Sequence, residues 1–122
     1  MRLYEARAGQ ALCPYHYEYV EEWLLVIAGE VQVRTPDGTS PARAGDVACF
    51  PAGSAGAHKV TNHSDQEAAR VVMFSPATLP NVAVYPDSGK VGVFTTDPAD
   101  DWMFRGADGK VEYFDGELPS EH

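Results

Sequence analysis

Short apolar or alternating runs recur along the chain: YHYEY at 15–19, EWLLVIAG at 22–29, EVQVRT at 30–35, DVACFP at 46–51, HKVTN at 58–62, AARVVMFS at 68–75, VAVYP at 82–86 and KVGVF at 90–94. Runs of this length with period-two character, rich in Val, Tyr, Phe and Trp, are strand signals, and a series of them is the rhythm of an all-β sandwich or barrel. The punctuation agrees. Pro36-Asp37-Gly38, Ala44-Gly45-Asp46, Pro86-Asp87-Ser88-Gly89 and Ala107-Asp108-Gly109 supply the residues that tight turns need. No long helical pattern, internal repeat or low-complexity segment competes.

From Phe94 onward the pattern changes. TTDPADDW is acidic and turn-like, and KVEYFDGE is mixed. Residues 1–93 therefore read as one barrel domain and 94–122 as an extension. Its aromatic residues Trp102, Phe104, Tyr113 and Phe114 are expected to cover a barrel flank or a subunit interface. A chain of 122 residues, 44% hydrophobic, is long enough to bury one core. With 18 acidic against 9 basic residues the net charge is −9, so neither nucleic acid nor an anionic membrane is an expected partner. No stretch approaches the roughly 18 apolar residues of a membrane span, and MRLYEARAG lacks the apolar core of a signal peptide. A cytoplasmic location is the expectation. Cys13 and Cys49 have no paired spacing and read as reduced thiols, Cys49 within VACF as a buried small hydrophobe.

The candidate chemistry lies in YHYEYVEEWLLVIAGE, residues 15–30. Residues two apart in a strand share a face, so His16 and Glu18 point the same way and Tyr15, Tyr17 and Tyr19 the other. A tight connection through Tyr19, Val20 and Glu21 would let Glu22 open the next strand and converge on the same mouth. Glu21 faces away and is expected in solvent. A further histidine comes from GDVACFPAGSAGAHKVTN, residues 45–62, where a glycine-rich loop delivers His58 to a strand start. His63 lies on the opposite face or in the following turn and is set aside, as is the terminal His122. Buried carboxylates are costly without a compensating charge, and deprotonated carboxylates with neutral imidazoles are the ligand forms of a metal site.

At these residues the chain resembles the cupin family, and small bacterial single-domain cupins in particular. The family's first motif, H-x-H, three or four residues, E, six residues, G, is matched by His16, Glu18 in place of the second histidine, Glu22 and Gly29. The second motif, G, five residues, P-x-G, a gap, H, three residues, N, is matched by Gly45, Pro51, Gly53, His58 and Asn62, with the gap two residues longer. The later segments YPDSGKVGV and YFDGE look similar to the same subgroup. The resemblance implies a double-stranded β-helix, or jelly-roll, barrel holding one divalent metal, with His16, Glu22 and His58 as ligands. Glu18 departs from the pattern. As a fourth ligand it would tilt the site toward manganese or iron and also suit zinc, with nickel a further possibility; held off the metal, it is placed as a general base. A metal-dependent enzyme acting on a small molecule at the barrel mouth, by oxygen activation, isomerisation or hydrolysis, is the first expectation, with the tyrosines and Trp23 as candidate walls. A non-catalytic small-molecule or sugar-binding module is the second, and a metal that only stabilises the barrel the third. Open edge strands make a homodimer the expected assembly.

Overall fold

The alternating runs become strands in the computed structural model, which describes residues 1–76, 78–106 and 109–117. In chain order these are β1 (Arg2–Ala6), β2 (Tyr17–Glu18), β3 (Glu22–Ala28), β4 (Glu30–Thr35), β5 (Gly38–Arg43), β6 (Val47–Phe50), β7 (Lys59–Thr61), β8 (Ala69–Phe74), β9 (Asn81–Tyr85), β10 (Lys90–Phe94) and β11 (Trp102–Arg105). Single 3-10 turns occupy Ser54–Gly56 and Pro98–Asp100. Among the described residues all strand pairings are antiparallel, in three sheets ordered β1-β8-β3-β6, β11-β10-β9-β2 and β5-β4-β7. This is the nearly all-β, jelly-roll class that the sequence predicts. No helix among the described residues is long and apolar enough to cross a membrane.

The core lies between the first and third sheets, where Leu24, Val26, Val71 and Phe50 of one meet Val31, Val33, Ala42 and Val60 of the other. Each contributes alternate residues, as the pleat requires. The turn from β3 to β4 is the single residue Gly29, at φ +77, packed so closely that a Cβ there would stand 3.0 Å from the Ala68 carbonyl oxygen. A glycine is the residue that meets both conditions.

The fully buried Asn62 binds the loop after β7 to the end of β1: its amide donates to the carbonyls of Ala6 at 2.9 Å and Glu67 at 2.7 Å, and its side-chain oxygen accepts from Ser64 N at 3.0 Å. Asn62→Ala removes all three partners at once. It should lower unfolding free energy by about 2–4 kcal/mol in chemical denaturation, because buried backbone groups left unpaired cost about 1–3 kcal/mol each and water offsets part of that.

Two expectations are corrected. Cys49 is exposed rather than buried, because alternation along β6 gives the inward places to Ala48 and Phe50 and turns Val47 and Cys49 outward. Both cysteines are free thiols, as expected. Trp23 also faces outward, stacked on Phe74 with centroids 6.3 Å apart, since its neighbours Glu22 and Leu24 hold the inward positions of β3. The Glu21 carboxylate is exposed and accepts the Trp23 indole N–H at 2.7 Å. Beyond Phe94 the chain turns back as β11, which extends the sheet of β10, with Trp102, Phe104 and Tyr113 exposed. The predicted turn at 107–109 and the terminal His122 fall, in part or whole, outside the described residues.

Candidate metal centre

Backbone pairing brings the two histidines together. His16 N donates to His58 O at 3.1 Å and His58 N donates to His16 O at 2.9 Å, an isolated bridge that sets the ring centroids 4.8 Å apart. His16 precedes β2, His58 precedes β7, and Glu22 opens β3. His58 is almost fully buried and lies flat on the Phe50 ring, with centroids 3.7 Å apart and planes 9° from parallel.

Each imidazole is oriented by the carbonyl two residues before it. His16 Nδ1 lies 2.9 Å from Pro14 O, and His58 Nδ1 lies 2.8 Å from Gly56 O. A carbonyl only accepts, so both Nδ1 atoms carry the hydrogen and both Nε2 atoms are left to face the site. This is the arrangement that fixes a metal-ligating histidine. The loop that carries the Gly56 carbonyl requires glycine, since a Cβ at that position would meet the Pro51 oxygen at 1.7 Å.

His58 Nε2 lies 2.9 Å from Glu22 Oε1. The contact needs one proton between the two atoms, and a cation can take its place. One ligand atom from each of His16, Glu22 and His58 lies within 4.8 Å of the others. Donors about 2.1 Å from an ion and at right angles stand about 3 Å apart, which the Glu22 and His58 pair already matches. Two imidazoles and a carboxylate suit first-row divalent ions such as manganese, iron or zinc, so these residues fit the group that the sequence pattern implies and could hold a metal.

Glu18 stands beside the three, its Oε1 3.7 Å from His16 Nε2. Burial opposes charge on His16, but the Cys13 thiol, the Glu18 carboxylate and the Pro14 carbonyl outweigh it and push the imidazole up to about 10. The same pairing with His16, with help from the Asn81 amide against the opposing effect of burial, holds the Glu18 carboxyl below its ordinary range. A pH dependence follows. A proton held more tightly in the folded than in the unfolded state stabilises the fold fully below about pH 6.5, and that contribution disappears as pH rises toward 10. Metal-free protein should therefore melt at progressively lower temperature across this window. Metal affinity should move the other way, by up to about tenfold per pH unit, because a ligand displaces the proton. Calorimetric titrations at several pH values check both.

A cleft of about 440 Å³ opens onto the two glutamates. Arg2, Ser75, Thr78 and Asn81 supply its polar lining, and Tyr4, Met73, Leu79 and Phe94 its apolar walls. The expected walls, Tyr15, Tyr17, Tyr19 and Trp23, do not line it. Tyr15 instead lies under the Arg34 guanidinium, 3.8 Å from the ring centroid, and Tyr19 is exposed. His63 is exposed, away from the cluster. Arg2, Tyr4 and Asn81 join the cleft without any motif in the sequence to mark them. The signal for the first two was the alternation of RLYEA, masked by its charges.

The family model described as Cupin domain matches residues 2–75. Among solved structures, a sugar phosphate isomerase from a cupin superfamily of Silicibacter pomeroyi superposes with a TM-score of 0.77 at 25% identity, covering 93% of this chain and 70% of that one. A chain from Acidithiobacillus ferrooxidans, given provisionally as a sugar phosphate isomerase, superposes at 0.78 with 22% identity, covering 90% and 69%. The polyketide cyclase RemF of Streptomyces resistomycificus shares the fold at 0.55 and 19% identity, covering 79% and 61%. No curated protein sequence matches the chain.

Proposed function

This chain belongs to the cupin domain family, and from that premise we propose that it is a metal-dependent isomerase of small phosphorylated sugars, with one divalent ion held by His16, Glu22 and His58. The observation that carries the reading is the donor group beside a cleft that also exposes a separate carboxylate, Glu18. The name of the Silicibacter pomeroyi relative, at 25% identity over most of this chain, supports isomerisation over the oxygen and hydrolytic chemistries.

A bound ion would act as a Lewis acid toward a carbonyl or hydroxyl oxygen of the substrate. Glu18, which His16 holds ionised in the metal-free site and which a bound cation beside it would keep ionised, accepts the proton from the carbon beside the substrate carbonyl and returns it to the former carbonyl carbon. One hydroxyl proton passes between the two oxygens in the same exchange, so aldose and ketose interconvert with no atom gained or lost. Asn81 steadies the carboxylate, and Tyr4, Met73, Leu79 and Phe94 give the carbon chain apolar walls to lie against.

The test is carbon-bound hydrogen exchange in deuterated water with manganese-loaded protein and a panel of pentose and hexose phosphates. Exchange into at least one sugar phosphate is expected. Glu18→Gln should reduce it about 100-fold or more while manganese affinity stays within a few-fold, the usual scale for loss of a positioned base. If Glu18→Ala loses the metal, Glu18 is a ligand and the base role fails. Binding without exchange would favour a non-catalytic sugar-binding module.

The homodimer also belongs to this reading. Leu3, Ile27, Val47 and Phe74 are exposed on the strands of the β1-β8-β3-β6 sheet, an apolar surface suited to a second copy. The exposed Trp102 and Phe104 of the extension would add to such an interface. A monomer mass by light scattering at micromolar concentration would contradict it.

A further inference from the structure

We propose that Arg2 is the anion anchor of the cleft, gripping the phosphate of a short phosphorylated sugar whose other end meets the metal-binding residues. The proposal rests on the isomerase reading for its substrate class and adds the residue that selects the charged form.

The alternation of β1 decides where Arg2 points. Ala6 is buried, Tyr4 half-buried and Leu3 two-thirds exposed, so the even-numbered residues face inward. Arg2 and Tyr4 accordingly line the cleft and Leu3 does not. Register fixes its distance from the site. Arg2 pairs with Met73 on β8, and Met73 pairs with Leu24 on β3, two residues along from Glu22 on the same face. Two strand spacings across and two residues along place the Arg2 and Glu22 Cα atoms about 12 Å apart. With both side chains reaching into the space between, the remaining gap suits a short carbon chain. A cleft of about 440 Å³ is likewise small for a polymer.

The chain carries a net charge of −9, a field that repels an anionic substrate, and the cleft also exposes Glu18 and Glu22, whose charge a bound divalent ion would offset without supplying a grip for a distant phosphate. Among the described residues lining the cleft, Arg2 is the one cationic side chain, and it has no ion-pair partner among them, whereas Arg34, Arg43 and Arg70 are each paired with a carboxylate. A guanidinium fork matches the oxygens of a phosphate and stays charged at every working pH. Ser75 and Thr78, on the same lining, offer hydroxyls to the same group.

The test uses manganese-loaded full-length protein with inorganic phosphate, pentose and hexose phosphates, and the same sugars without phosphate, read by calorimetry and thermal shift. Arg2→Gln should weaken the phosphorylated sugars about 10- to 100-fold, the range of a charge-assisted fork converted to affinity, and leave the unphosphorylated sugars, manganese affinity and melting temperature unchanged. Arg2→Lys should recover part of the loss, and inorganic phosphate should compete with sugar phosphate in wild type but not in Arg2→Gln. Equal affinity in wild type and Arg2→Gln, an equal loss for both sugar classes, or no binding of any phosphorylated sugar by wild type would overturn the anchor. Arg2-dependent binding without hydrogen exchange would sustain the anchor and reject the isomerase reading, so the two fail separately.

Discussion

Gly56→Ala is expected to destabilise the fold by about 3 kcal/mol, the upper part of the usual range for forcing atoms into a packed site, and to remove divalent-metal binding with it. The added Cβ would stand 1.7 Å from the Pro51 carbonyl oxygen, 2.8 Å from its carbon and 3.0 Å from its nitrogen. All three are backbone atoms, so no rotamer change relieves the clash. The loop from Pro51 to Ala57 must move, and the Gly56 carbonyl that orients His58 Nδ1 moves with it. Loss of stability and loss of the site are thus one event. Chemical denaturation and metal titration of the variant measure it, and wild-type values in both would show that the loop yields without disturbing the histidine.

The second large effect is at His58 itself. His58→Ala should weaken metal binding by more than about 100-fold, since removing the groups that merely orient a ligand already costs about 10- to 100-fold. It should also abolish the rise in melting temperature on metal addition, which for wild type at a hundred times the dissociation constant corresponds to about 2.7 kcal/mol. His63→Ala, an exposed imidazole outside the cluster, is the control and should leave both readings unchanged. Equal affinity in the two variants would remove His58 from the ligand set.

The fold was legible wherever alternation was strong. EWLLVIAG and EVQVRT carry Leu24, Val26, Val31 and Val33 on one face, and both became core strands with Gly29 between them. The strands that escaped notice are those with little to bury. β5, GTSPAR, is an edge strand in which Ala42 alone is buried and Pro41 is tolerated because one side needs no partner. β11, WMFR, is exposed at all four positions, so no alternation marks it. β1 carries charge at Arg2 and Glu5, and its inward stripe of Arg2, Tyr4 and Ala6 reads as polar because it ends at the cleft mouth.

For the site, period two placed His16 beside Glu18, and the short link through Glu21 brought Glu22 to the same mouth. Sequence spacing holds no information on which carboxylate approaches which imidazole. That is set by the His16 and His58 backbone bridge across 42 residues and by the Phe50 ring beneath His58, both tertiary. The error at Cys49 has the same origin, since the VACF run shows that β6 is partly buried but not which of two adjacent residues faces in.

The central claim is that His16, Glu22 and His58 hold one divalent ion. Crystals grown with manganese, measured near its absorption edge, test it most directly. One strong anomalous peak per chain is expected, bounded by His16 Nε2, His58 Nε2 and the Glu22 carboxylate. A peak elsewhere on the chain, or none while the Glu22 and His58 contact persists at its 2.9 Å separation, would contradict it.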